Sequence, residues 1–287
     1  MKYLPLLPLL CSFLWADLPL LVEDLVSGKG KIRLETSLAY TNSHTQDVAL
    51  GEPMFIQTSS TSFVAVPSDF GQSEQQNENL IGTLGVHYGI SHAADVYVRG
   101  SYLLGYKQQK ELEAQKNEFE HKGVDSWVGV NYEFLKDDSI IGILGYIEAA
   151  IYEKNINKPS YFHSGQIGTT IYKSIDPVVL VLNAAYRHSH KRKDNNGHYT
   201  PGDVILLQPS VGFAANEWVT LSFGFQWLHQ RASKYEESKR GFHRSLAQPS
   251  FGVGYGFARG NILNLTFKAA TQKDSNNDIM LHWAYTF

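Results

Sequence analysis

Two stretches carry the residue types of nucleophilic chemistry. His163 stands next to Ser164, and Ser189 lies between His188 and His190, so each places a hydroxyl beside an imidazole that could take its proton. On a strand, neighbouring side chains point to opposite faces, which keeps His163 from activating Ser164. His188 and His190 adjoin Lys191, Arg192 and Lys193, a set that reads as a solvated loop or a phosphate-binding patch. His243 is also assigned to a loop. No spacing of Cys, His, Asp and Glu suits a metal ion, so no catalytic residue, metal or cofactor is assigned.

A second kind of chemistry is spread along the chain. Arg33, Glu35, Arg99, Glu133, Glu148, Arg187, Lys268 and His282 stand on the polar side of alternating runs, together with Asn183 and Gln226. If those runs are strands of one closed sheet, the charges share one face. They then form either a salt-bridged wall or a mixed-charge constriction that orients polar or zwitterionic solutes. Glu35, Lys268 and His282 fall on the first, eleventh and twelfth runs, which closure would make neighbours. An arginine at 282 would be tolerated in such an open interior.

Positioning them requires about twelve strands. Period-two alternation of apolar and polar residues is the strand signal. It begins at Lys31, with Ile32, Leu34, Thr36, Leu38 and Tyr40 on one side. It returns over Leu80–Gly89, Asp95–Tyr106, Val124–Phe134, Ile140–Tyr152, His163–Tyr172, Val178–His188, Val204–Ala215, Trp218–Gln230, Ser245–Phe257, Ile262–Thr271 and Ile279–Phe287. Each run is about ten residues long, the length of a tilted membrane strand. Inward positions also include Gly142, Ala150, Gly168, Ser222, Gly224, Gly252, Gly254 and Gly256, small residues that would leave space in a barrel wider than the eight strands that side chains can fill.

The connections alternate in length. Turn-like segments such as 90–94, 135–139, 174–177, 216–217 and 258–261 alternate with long polar ones: 41–79, 107–123, 153–162, 189–203, 231–244 and 272–277. Short turns on one side and long loops on the other fit a transmembrane barrel with periplasmic turns and extracellular loops. Tyr88, Tyr132, Phe134, Phe213, Tyr255, Phe257, Tyr285 and Phe287 gather near the short turns, and Tyr40, Tyr102, Tyr106, Tyr186 and Trp227 near the loops, which makes two interfacial girdles. In the first loop, Met54-Phe55-Ile56 and Phe63-Val64-Ala65-Val66 either fold into the mouth and narrow it or extend the strands above the membrane. The charged segment 107–122 reads as a solvated loop.

Composition agrees with this reading. A mean hydropathy of -0.24 suits a chain whose inward half is polar. The net charge of -3 argues against a nucleic-acid partner, and a single cysteine, Cys11, excludes a disulfide framework. Residues 1–16, with Lys2 ahead of an apolar run and Ala16 at its end, are expected to be a secretory signal peptide. Leu18, Leu21, Val22, Leu25 and Val26 recur at helical spacing, so 17–30 is expected to be a short periplasmic leader, helix or plug. The barrel then occupies 31–287.

The last run, I-M-L-H-W-A-Y-T-F, resembles the C-terminal signal strand of bacterial outer-membrane barrels, with Trp283, Tyr285 and Phe287 as its assembly signal. That resemblance implies recognition by the barrel-assembly machinery. Tyr88-Gly89-Ile90, the segment Ser174-Ile175-Asp176-Pro177-Val178-Val179, Tyr199-Thr200-Pro201-Gly202-Asp203-Val204, and Val211-Gly212-Phe213-Ala214-Ala215-Asn216-Glu217 after it carry a second resemblance. Through them the chain is similar to the outer-membrane barrel family named for the meta-pathway of phenol degradation, grouped with transporter-like porins. This implies passage of small, hydrophobic or aromatic compounds and supplies no catalytic residue.

The expectation is an all-β, single antiparallel outer-membrane barrel that acts as a channel or transporter for small solutes. Its partners are outer-membrane lipid and lipopolysaccharide, the assembly machinery and the solute. The alternatives are a surface interaction barrel serving an appendage or adhesion system, and an outer-membrane lipid hydrolase.

Overall fold

The computed structural model describes residues 26–43, 53–59, 62–67, 77–111, 114–137, 140–155, 159–194, 197–235, 238–239, 243–258, 260–271 and 277–287. The expected signal peptide and most of the leader lie outside these residues. Of the leader, 26–30 form bends and a turn rather than helix.

Twelve strands close into one antiparallel barrel. In chain order they are β1 (Ile32–Ser43), β2 (Asn77–Gly89), β3 (Ala94–Glu111), β4 (Ala114–Leu135), β5 (Gly142–Asn155), β6 (Ser164–Ile175), β7 (Val178–Ser189), β8 (Val204–Ala214), β9 (Val219–Gln230), β10 (Arg244–Ala258), β11 (Asn261–Lys268) and β12 (Asn277–Thr286). Each pairs with its sequence neighbours, and β1 pairs with β12 to close the ring, from Arg33 opposite Thr286 to Asn42 opposite Asn277. Closure leaves no unpaired edge, the condition for strands to cross a bilayer.

The alternation predicted from sequence sets which face is which. Leu38, Leu84, Val98, Val130, Ile147, Leu180, Phe223, Phe251, Leu265 and Leu281 are exposed on the outside, although large and apolar. An exposed belt of this size around a closed sheet is the surface that lipid covers. Below it the aromatic pairs Tyr132–Phe134, Tyr255–Phe257 and Tyr285–Phe287 meet edge to face at 4.9, 4.8 and 4.5 Å, beside the short turns.

The loops differ from expectation in two places. The segment 107–123 is mostly ladder rather than loop: β3 and β4 stay paired out to Glu111 opposite Ala114. The first loop contains its own hairpin, Pro53–Ser59 with Ser62–Pro67. Above β7–β10, a small four-stranded sheet joins Arg192–Asp194, Gly197–Thr200, Lys234–Tyr235 and Ser238–Lys239.

Candidate functional site

The interior is built in tiers, and the lowest sits at the periplasmic end of β1–β4. Arg33 and Glu35 are two apart on β1 and therefore share its inner face. Arg33 Nε contacts Glu35 Oε1 at 2.7 Å, and its guanidinium reaches His87 Nδ1 at 3.2 Å and Asp95 Oδ2 at 3.9 Å. His87 Nε2 lies 3.0 Å from Glu35 Oε2, and Asn131 Nδ2 donates to Asp95 Oδ1 at 2.9 Å. All five side chains are buried, which is tolerable only because each charge meets an opposite one.

The chain ahead of β1 turns back into this tier. Val26 and Ser27 are buried, and the Ser27 amide donates to Asp95 Oδ2 at 2.8 Å. Gly30 makes the reversal with φ 78°, a left-handed conformation that glycine adopts freely. The fit depends on Gly89, where a Cβ would stand 2.1 Å from the Gly28 carbonyl oxygen and 2.2 Å from that of Ser27. Gly89→Ala is therefore expected to expel 26–28 from the periplasmic mouth, at an overpacking cost of about 1–3 kcal/mol. Limited proteolysis of the assembled protein checks this: cleavage just ahead of β1 should appear in the variant and not in the parent.

The middle tier spans β3–β7. Arg99 grips Glu148 with two bonds, Nε to Oε2 at 3.1 Å and NH2 to Oε1 at 2.8 Å, and Tyr97 donates its hydroxyl to Oε2 at 3.0 Å. Arg99 and Arg187 both lie over the Trp127 ring, at 5.1 and 4.9 Å. Such contacts are strong where water is excluded, and Trp127 is 0% exposed. Arg187 and Arg192 converge on Glu153 at 2.8 and 2.9 Å, and Arg192 also donates to Ser164 Oγ at 2.6 Å.

Space that the glycines would leave is filled. Tyr172, Tyr146 and Tyr97 stand opposite Gly142, Gly168 and Gly129 in the ladders. Each ring occupies the place of the missing Cβ, which would lie 2.1, 2.3 and 2.3 Å from its atoms. An aromatic ring laid over a cross-strand glycine repairs its lost packing. The wall from β8 to β11 is different. Ser210, Gly212, Ser222, Gly224, Ser250, Gly252, Asn264 and Thr266 give it a small, hydroxyl-bearing inner surface.

Two inward patches are apolar instead. One joins Tyr146, Ala185, Val204, Leu206, Leu228 and Leu246, the other Ala39, Ile81, Leu103 and Met280. Both are buried, although a water-filled bore would wet them. The first-loop hairpin accounts for part of this. Its Ser62–Pro67 strand runs against β6, β7 and β8, and its Pro53–Ser59 strand against β11 and β12. Touching both walls, the hairpin crosses the bore, so the inward-folding alternative holds for its backbone.

All eight predicted charged residues point inward and are buried. Arg33 with Glu35, Arg99 with Glu148, and Arg187 with the unpredicted Glu153 are brought together. Glu133 accepts from the Tyr172 hydroxyl at 3.4 Å. Of the expected grouping of Glu35, Lys268 and His282, Glu35 and His282 do come together across the β1–β12 ladder, and the place of Lys268 is corrected. Lys268 ends β11 on the loop side, where its ammonium donates to Gln226, while Glu35 pairs near the turn side with Ala284. Neighbouring strands do not make neighbouring heights. His282 is enclosed, and among the described residues neither of its ring nitrogens has a hydrogen-bond partner. The tolerance expected for an arginine there does not fit this filled surrounding.

Sequence reasoning missed His87, Asp95, Tyr97, Trp127, Glu153 and Arg192. The first four lie on the inward parity of their strands and were legible from it. Arg192, read as solvated with its neighbours, turns inward to Glu153, while Lys191 and Lys193 are exposed. Ser164 faces inward, 3.2 Å from Ser189 Oγ, and His163 Nδ1 faces the Tyr161 carbonyl oxygen, so the two sit on opposite sides of the wall.

Solved structures place this architecture among outer-membrane barrels. An outer membrane channel from Pseudomonas putida F1 superposes with a TM-score of 0.63 at 8% identity, over 96% of this chain and 100% of that one. The NanC porin superposes with a TM-score of 0.51 at 10% identity, over 88% of this chain and 98% of that one. Together with the exposed apolar belt, this gives the chain the fold of an outer-membrane β-barrel. Neither any protein-family model nor any curated protein matches it by sequence, so the phenol-pathway resemblance rests on the motifs quoted above.

Proposed function

We propose that this barrel is a channel for small solutes, apolar or aromatic in class, whose narrowest point is the hairpin Pro53–Pro67. The observation that carries the reading is that hairpin, whose backbone crosses the bore between strands that hold Ala185, Val204 and Leu206 of one inward apolar patch and Met280 of the other. A solute passing it exchanges contacts with apolar side chains for similar ones, so little desolvation opposes transit. The paired charges below leave no large net field, which suits neutral or zwitterionic solutes better than simple ions. The two neighbours with the same fold are described as a channel and a porin.

Ser43 and Asn77 face each other in the β1–β2 ladder, so the hairpin can be removed without spanning a gap. Replacing 44–76 by a turn of about four residues keeps the barrel closed. Single-channel recordings of that variant are expected to show a several-fold rise in conductance, with faster uptake of a small aromatic probe into vesicles. Unchanged conductance in a folded variant would remove the hairpin as the constriction.

A further inference from the structure

On the outside of the barrel, directly above the lipid-facing belt, the extracellular ends of β6–β9 and the start of β10 carry a row of imidazoles and cations. Outward parity runs up β7 through Leu182 and Tyr186 to His188, and up β9 through Phe225 and Trp227 to His229 and Arg231. His190 and His243 continue the row beyond the ends of β7 and β10, and both are exposed. His188, which sequence placed at the end of the seventh strand and in the loop set with His190, is a strand residue of the outer face.

The row is held in place rather than loosely solvated. Asp203 lies 2.7 Å from His188 Nδ1 and 3.5 Å from Arg231 NH1, and so fixes both. The Arg231 amide donates to the Asp203 carbonyl oxygen at 2.8 Å, and the His190 amide to that of His163 at 2.6 Å. The His188 and His190 rings meet edge to face at 4.7 Å. His229 stacks on Trp227 and on His243, each at 5.9 Å. Lys191, Lys193 and Lys234 are exposed around it. Among the described residues no group of three or more His, Cys, Asp and Glu could hold a metal ion.

We propose that this outward row is a binding surface for lipopolysaccharide, taking the phosphates of its lipid A head while the acyl chains lie on the β7–β10 wall beneath. Three observations converge. Guanidinium, ammonium and imidazole N–H donors are the groups that bind phosphate oxygens. The row sits one step above Tyr186 and Trp227, at the headgroup level of the outer leaflet. The surface below is continuous apolar wall, with Leu180, Leu182, Leu207, Phe223, Phe225 and Phe251 exposed. A free phosphate would use the first feature alone; a phosphorylated glycolipid uses all three. The inference does not depend on what passes through the bore.

The test uses the full-length protein in detergent, with lipid A carrying two phosphates and the same lipid dephosphorylated as probes, read by native mass spectrometry. The parent is expected to retain the phosphorylated lipid at least about tenfold better, the loss of one charge-assisted hydrogen bond. His188→Gln/His190→Gln/Arg231→Gln should abolish that preference, and His92→Gln in a periplasmic turn should keep it. If the triple variant does not assemble, Lys191→Gln/Lys193→Gln, outside the barrel strands, should show the same direction of loss. Equal retention of both lipids by the parent overturns the proposal, as does a preference unchanged in the variants. Full displacement of the lipid by excess inorganic phosphate overturns it as well, because the site would then be for a free anion.

Discussion

Arg99→Ala is expected to lose about 3–5 kcal/mol of stability, the cost of removing one partner from a buried ion pair. The substitution strands Glu148 away from water, with the Tyr97 hydroxyl its one remaining bond among the described residues. It also removes one of the two guanidiniums over Trp127 and leaves a void beside that ring. Equilibrium unfolding of the reconstituted barrel measures the loss, and unheated gel mobility reports the folded fraction. The companion experiment separates the pair from its parts. Arg99→Met/Glu148→Leu removes both charges and should recover most of the stability, since an apolar pair of similar volume replaces a buried ion pair at little cost. A single variant within about 1 kcal/mol of the parent would mean that water reaches the pair.

Leu281→Arg tests the other face. Leu281 lies midway along β12, between Leu38 of β1 and Leu265 of β11, and all three are exposed on the outer surface. An arginine there sits in hydrocarbon and should cost about 2–4 kcal/mol near the midplane. The deficit should appear as reduced outer-membrane levels and as a lower unfolding midpoint in vesicles. It should shrink when the charge is moved along β12 towards either interface. Normal assembly of Leu281→Arg would reverse the assignment of inner and outer faces.

Much of the fold was legible because a barrel writes itself in the simplest code, a period of two read against lipid on one side. Every predicted charged residue faces inward for that reason. What escaped has identifiable physical causes. Between Ser126 and Trp127 the β4–β5 ladder carries a bulge: Ser126 pairs with Tyr152, Trp127 with Ala150, and Ile151 has no partner. One extra residue inverts the alternation beyond it, so Glu153 turns inward against the parity that Glu148 sets. Trp127 and the tyrosines were passed over because large aromatics were assigned to the girdles. Alternation does not distinguish a ring facing lipid from one laid over a glycine across the ladder. Heights around the barrel were also hidden. The drift of register from strand to strand separates Glu35 from Lys268, and no single strand records that drift.

The seam between β1 and β12 has a consequence for how the molecule comes into being. Every other ladder of the barrel joins strands consecutive in the chain, so the longest loop any of them closes is the segment 44–76. Only this one pairs the first strand with the last. Its loop-closure entropy is therefore the largest in the fold, and topology makes it the slow step. The Arg33–Glu35–His87–Asp95 cluster belongs to β1–β3 and needs no seam to form. Across the seam itself, Ala39 meets Met280 on the inward face, and Thr41 bonds to Asp278 further up. Assembly thus runs from a charged nucleus on consecutive strands towards a late closure of the first strand on the last. Hydrogen exchange should find amides along the seam opening before those of β2–β4.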